Sequence, residues 1–241
     1  MALPKIATPQ YTLKLPSTGK SVKYRPFLVK EEKLLLMAME TADEAGTIET
    51  IKTIVKDCTN ITVPVDTLPT FDIEYLFLKI RSKSVGESSK VIITAPDDGE
   101  TEVTVDINLA EVGMSIDDEH EKDIKLGENL GMVMKYPSLD TFVKMNITAD
   151  PEEQPDQIQQ VFDLASDCIE HIYDENQIYP GADSTKQEKI EFLEQLTSEQ
   201  FQQVQKFFET MPKLMHEVEV ANPNTGVTST VTLEGLASFF A

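Results

Sequence analysis

Phe71 to Gly86 reads FDIEYLFLKIRSKSVG. Ile73, Tyr75, Leu76, Phe77, Leu78 and Ile80 leave it almost no polar side, so it reads as a helix buried on several sides rather than one with a single apolar stripe. Pro69-Thr70 offers an N-cap. Asp72 and Glu74 fall in the first turn and Lys79, Arg81 and Lys83 in the last, the distribution the helix dipole favours. Gly86 is placed to close it. The apolar run is too short to cross a bilayer. The remaining elements are expected to pack around this helix.

Working outward, the pattern alternates between hairpins and helices. Residues 10–15 (QYTLKL) and 21–27 (SVKYRPF) alternate around a PSTGK turn, which predicts a hairpin with Pro26 at its end or edge. Lys30 to Glu40 changes to helical period. Ala45-Gly46-Thr47 reads as a break, with Thr47 capping a second helix whose stripe is Ile48, Ile51, Ile54, Val55 and Cys58. Beyond the central helix, Lys90 to Thr94 and Glu102 to Ile107 flank Asp98-Gly99 as a second hairpin. The acidic stretch 97–128 reads as a solvated rim, Leu130 to Tyr136 as a strand, and Leu139 to Met145 as a short helix.

Residues 150–157 (DPEEQPDQ) combine two prolines with four acids and no large apolar side chain. Three helices are expected after them: Gln157 to Tyr173, Ser184 to Leu196, and one capped by Thr197-Ser198. A last hairpin, HEVEV with VTSTVTL, precedes a short terminal helix. The expected fold is therefore α+β. It has an N-terminal half (1–149), a linker (150–156) and a C-terminal half (157–241), each half ending its helices with a hairpin. Pro96, Gly99, Thr101 and Leu109 match Pro223, Gly226, Thr228 and Leu236 at one constant offset, which shared turn chemistry explains slightly better than duplication.

The chain of 241 residues carries 42 acidic and 21 basic side chains, a formal charge of -21. Such a field repels phosphate backbones and argues against nucleic acid as a partner. Against that background residues 1–30 hold Lys5, Lys14, Lys20, Lys23, Arg25 and Lys30 and no acid. This is either a solvated edge or a docking surface. Cys58 and Cys168, the two cysteines, read as reduced, buried thiols on separate helices. No secretory signal and no membrane span are legible, which points to a cytoplasmic, soluble chain. Gly19-Lys20-Ser21 resembles the end of a phosphate loop, but strand alternation follows where a helix is needed. His120, His171 and His216 lack metal-ligand spacing, and Asp117-Asp118 lacks the apolar setting of a catalytic acid. The residues predict no catalytic, metal or cofactor site.

Several stretches read together carry a likeness. LPSTGKSVKYRPFLVKEEKLLLMAMET, FDIEYLFLKIRSKSVGE, IYDENQIYP, FFETMPKLMHEVEV and LEGLASFF resemble, in order from about Leu13 to Phe240, the T-even-type bacteriophage baseplate family. Its members are hub subunits or hub-assembly proteins of contractile tails. The resemblance implies a non-enzymatic assembly or structural protein, made in the host cytoplasm and acting in or on the tail baseplate. It implies other phage tail proteins, or a second copy, as partners, and supplies no catalytic residue or cofactor. The rival readings are a non-viral adaptor or chaperone and a carboxylate-based metal-dependent enzyme. Lys20, Lys23 and Arg25 are the expected partner-binding cations. Phe239 and Phe240, in an unusually apolar terminus, must be buried either against the chain's own helices, the favoured reading, or in a partner.

Overall fold

The computed structural model describes residues 6–41, 44–141 and 157–239. Tyr11–Lys14 (β1) and Ser21–Tyr24 (β2) pair antiparallel from Tyr11↔Tyr24 to Lys14↔Ser21, as the alternation requires. In the turn between them, the Gly19 amide donates to the Leu15 carbonyl at 2.7 Å, and Gly19 is left-handed at φ 67°. Ala95 to Gly99 and Asn222 to Gly226 repeat this closure at 2.9 Å each, with φ 69° at Gly99 and 76° at Gly226. All three turns follow a residue-Pro-x-x-Gly pattern. Proline presets the first φ and glycine alone takes the last without strain. The likeness of the two later hairpins thus extends to the first, as shared turn chemistry would produce.

Val29–Thr41 (α1) and Glu44–Cys58 (α2) follow. The second helix runs through Gly46 and Thr47 instead of starting there. A glycine near a helix start costs only about 1 kcal/mol, and Thr50 turns its hydroxyl back onto the Gly46 carbonyl at 2.9 Å. The central stretch forms Thr70–Ser82 (α3), with Phe71, Ile73, Leu76, Phe77, Leu78 and Ile80 buried. Its N-cap position is Pro69, not Thr70. Asp72 is buried in its first turn and accepts from the Ser17 amide at 3.0 Å and from the Ser17 hydroxyl, which ties the first hairpin's turn to the helix start.

Ser88–Thr94 (β3) and Glu102–Asn108 (β4) form the second hairpin, and Gly113–Ser115 (β5) follows. In the next part of the chain, Asp123–Lys125 (β6), Gly131–Met134 (β7), Ile169–Tyr173 (β8) and Ile178–Pro180 (β9) make a four-stranded antiparallel sheet in sequence order. Gln157–Asp167 (α4), Lys186–Glu194 (α5) and Ser198–Glu209 (α6) belong with it. Thr185 with Glu188, and Thr197 with Gln200, form reciprocal capping boxes at α5 and α6. Lys213–Ala221 (β10) and Thr228–Glu234 (β11) close the chain, β10 lying between β11 and β5 in a three-stranded sheet.

Three sequence expectations change. The helix expected over 157–173 ends at Asp167, because IEHIY forms β8 between β7 and β9. The acidic stretch 97–128 is not only a rim: it supplies β5 and β6 and buries Val112, Ile124 and Leu126. The chain divides at 115/116 and 211/212 rather than at 150–156, which lie outside the described residues along with most of the helix expected at 139–145. The physical reason is pairing: β7 and β8 come from opposite sides of 150–156, and β10 returns to β5. Both later hairpins therefore belong to one unit instead of ending two separate halves. α+β remains the class.

In the discontinuous unit, Leu78 of α3, Val91, Ile93 and Ile107 of the second hairpin, and Leu214, Val218, Val220 and Leu233 of the last share one core. Lys79 extends from α3 to the carbonyls of Ala110 and Val112 at 3.1 and 2.9 Å, fixing the loop after β4. In the inserted unit, Met132, Met134, Ala165, Cys168, Ile169, Leu193, Val204 and Phe207 form the core.

Candidate interaction surface

The basic N-terminal strand is where sequence placed partner contact, and its three cations separate into two roles. Lys20 and Lys23 are exposed. Arg25 is half-buried, and its guanidinium donates to Glu31 Oε1 at 2.8 Å and to the carbonyls of Pro26 and Asp57 at 2.9 and 3.0 Å. Glu31 is completely buried on α1 and also meets Lys30 Nζ at 3.0 Å and the Leu28 amide at 2.7 Å. Burial alone would raise the Glu31 carboxyl. The bonds from Arg25, Lys30 and Leu28 outweigh it and hold the group at about 2. Arg25 is a strut inside its own unit, not a free docking cation.

The outer edge of β2 is also occupied. The Arg25 amide donates to the Cys58 carbonyl at 2.8 Å, the Asn60 amide to the Lys23 carbonyl at 3.0 Å, and the Lys23 amide to Asn60 Oδ1 at 2.8 Å. An added strand has no free ladder there, so contact at this strand must use side chains.

The first helix carries a surface that pattern reading missed. Helical geometry puts Glu31, Leu35 and Ala38 on one face of α1 and Val29, Lys33, Leu36, Met37 and Glu40 on the opposite one. The first face is turned inward, with Glu31 and Ala38 buried. Val29 is 80% exposed, Leu36 57% and Met37 53%; Leu28 and Leu34 are exposed as well. The signal was present in the sequence: four successive apolar residues, Leu34 to Met37, cannot all face inward on one helix.

The terminal phenylalanine belongs elsewhere. Phe239 is completely buried in the core of its own unit, in a 3-10 turn over Leu236–Phe239, and its carbonyl accepts from Ser89 Oγ at 2.8 Å. It is not presented to a partner. Phe240 lies outside the described residues. The acids at the second hairpin's tip are likewise engaged: Asn222, itself buried, donates to Asp97 Oδ1 at 3.0 Å and Asp98 Oδ2 at 2.8 Å, stitching that tip to the last hairpin.

Both cysteines are free and buried, and burial pushes the Cys58 thiol up to about 11 and the Cys168 thiol up to about 12, away from nucleophilic range. Cys168 sits just beyond α4, between it and β8. His120 stacks on Tyr136, lies tilted against Phe207, and bonds Thr210 Oγ1 at 2.9 Å and Tyr136 Oη at 3.0 Å. His171 lies on β8 and His216 on β10. Among the described residues no group of three or more His, Cys, Asp or Glu is arranged to hold a metal ion. Among them, too, no helix is long and apolar enough to cross a membrane. The inserted unit has an open groove of about 320 Å³ lined by Phe162, Leu193, Leu196 and Phe201 with a polar rim of Gln202 and Gln205.

The model of the T4 bacteriophage base plate protein family matches residues 8–241. The chain belongs to that family. The match covers nearly the whole length, so both units of this base plate family member are part of what its relatives share. No curated protein and no solved structure matches the chain.

Proposed function

We propose that this base plate protein is a non-enzymatic component of the hub of a phage tail baseplate, or a factor that assembles it, acting through protein–protein contacts with other tail proteins. The observation that carries this reading is the outward apolar face of α1. A helix that buries a glutamate and exposes Val29, Leu36 and Met37 leaves apolar area in water unless something covers it. Membership in the base plate family supports the baseplate as the setting; on this reading the chain is made and assembled in the host cytoplasm. The test is genetic: an early stop codon in the virus that encodes the chain should leave tails without functional baseplates, and supplying the intact chain in trans should restore them. Normal tails in its absence would overturn the reading.

A further inference from the structure

We propose that the terminal turn, Leu236–Phe239, is a pH-sensitive clasp whose latch is Glu74 of α3. Gly235 precedes the turn in the left-handed region at φ 71° and has no side chain with which to cap it. The cap comes from across the fold: the Leu236 amide donates to Glu74 Oε1 at 3.4 Å. Gly235 lies beside the same oxygen, since a Cβ there would stand 3.8 Å from it. At the far end of the turn, Phe239 is completely buried and its carbonyl takes the Ser89 hydroxyl at 2.8 Å. The segment therefore swings on a glycine. Glu74 holds its start and the Phe239 seat holds its end.

Glu74 is a poor place for a charge. It is half-buried on the stripe of α3 that carries Phe71 three residues before it and Leu78 four residues after, both buried. Bonds to an ionised group are usually about 2.7–2.9 Å long, so the longer contact from Leu236 returns only part of the lost hydration. No cation makes up the difference. On α3, Lys79 is drawn to the carbonyls of Ala110 and Val112, and Tyr75 and Arg81 are the other titratable neighbours. On α2, Lys52 is held by Glu49 and Asp66, and Lys56 and Asp57 follow. Lys213 of β10 turns to Glu234 of β11 at 3.8 Å; His216 on β10 and Lys90 on β3 complete the set, and Leu236–Phe239 carries no ionisable side chain. Among the described residues none of these moves the Glu74 carboxyl. Burial raises it above the usual range, and the Leu236 amide only partly opposes this.

An acid whose value is raised in the closed state favours closure when it is protonated. The clasp is thus tightest in acid and loosens as the pH rises above about 4.5, the usual value, levelling off once Glu74 is ionised in the closed state as well. Opening is local, because the pairing of β10 with β11 does not depend on it.

The test is amide hydrogen exchange by NMR on the full-length chain from pH 4 to 8, with each rate divided by its intrinsic value. Protection of the Leu236–Phe239 amides should fall at least about threefold over this range, while that of the β10–β11 amides does not follow it. Glu74→Gln keeps an oxygen for the Leu236 amide without the charge. It should raise terminal protection at pH 7 at least about threefold and flatten the pH profile. Glu74→Ala should flatten the profile too, but with less protection than the Gln variant, because the cap is gone. Terminal protection lower in the Gln variant than in the parent would mark an ordinary ionised cap and overturn the proposal. A flat parent profile, or a pH dependence that survives Glu74→Gln, would overturn it as well. Should the Gln variant unfold, the parent profile at Leu236–Phe239 against β10–β11 decides alone.

Discussion

Replacing Arg25 by Met removes one hydrogen-bonded partner of a carboxylate that has no solvent to fall back on. Glu31 would keep Lys30 at 3.0 Å and the Leu28 amide at 2.7 Å. Stripping a partner from a buried ion pair costs about 3–5 kcal/mol, and the two remaining contacts bring the expected loss to about 2–3 kcal/mol. The titration of Glu31 gives the same scale. Its shift from 4.5 to about 2 corresponds to roughly 3 kcal/mol, shared among all its bonds. Because the folded-state value is depressed, this stability is present above about pH 4.5 and is lost as the pH falls through about 2. Urea unfolding followed by circular dichroism at pH 7 should show the loss, and thermal melting a drop of roughly 5–10 °C. Arg25→Met combined with Glu31→Leu should recover most of it, since no buried charge is then left unpaired. An Arg25→Met variant within about 0.5 kcal/mol of the parent would refute the strut. Reversal to Glu should be worse still, so charge reversal of the strand tests docking only when Arg25 is spared.

Three further outcomes follow from the same geometry. Lys20→Glu with Lys23→Glu should leave the melting curve unchanged, since both lysines are exposed, while slowing baseplate assembly more at low salt; identical assembly kinetics at low salt would make this strand a solvated edge. Phe239→Ala should cost about 3–5 kcal/mol or give insoluble protein, because the ring is completely buried; a variant that melts like the parent would contradict self-burial. His120 is held below its usual value of 6.5, chiefly by burial, so the inserted unit should be fully stable above about pH 6.5 and lose stability as the pH falls below it. Titrating the imidazole by NMR should give a value under 6.5, and a higher one would refute the buried setting.

The local features were legible and the long-range ones were not. The β1–β2, β3–β4 and β10–β11 hairpins announced themselves through alternation and a proline-to-glycine turn, and α3 through apolar residues on nearly every side. β8 was hidden because Cys168, Ile169 and Ile172 continue the helical spacing of α4. What makes it a strand is remote: it pairs with β7 on one side and β9 on the other, and where Gly131 faces Tyr173 a side chain at 131 would collide with the Tyr173 ring. The division of the chain depends on β10 meeting β5, strands about a hundred residues apart, which no local pattern encodes. The outward face of α1 was missed for a similar reason. The run Leu34 to Met37 shows that some apolar side chains must face out, but which ones do so depends on the partners that turn Glu31 inward, and Arg25 lies on another element.

The most direct test of the account is sedimentation of baseplate intermediates from infected cells, with the chain followed by immunoblot. The account predicts that the parent chain travels with baseplate or hub particles and that Leu36→Asp with Met37→Asp leaves a stably folded chain at the top of the gradient. A parent chain that never enters such particles, or a double variant that enters them as fully as the parent, would contradict it.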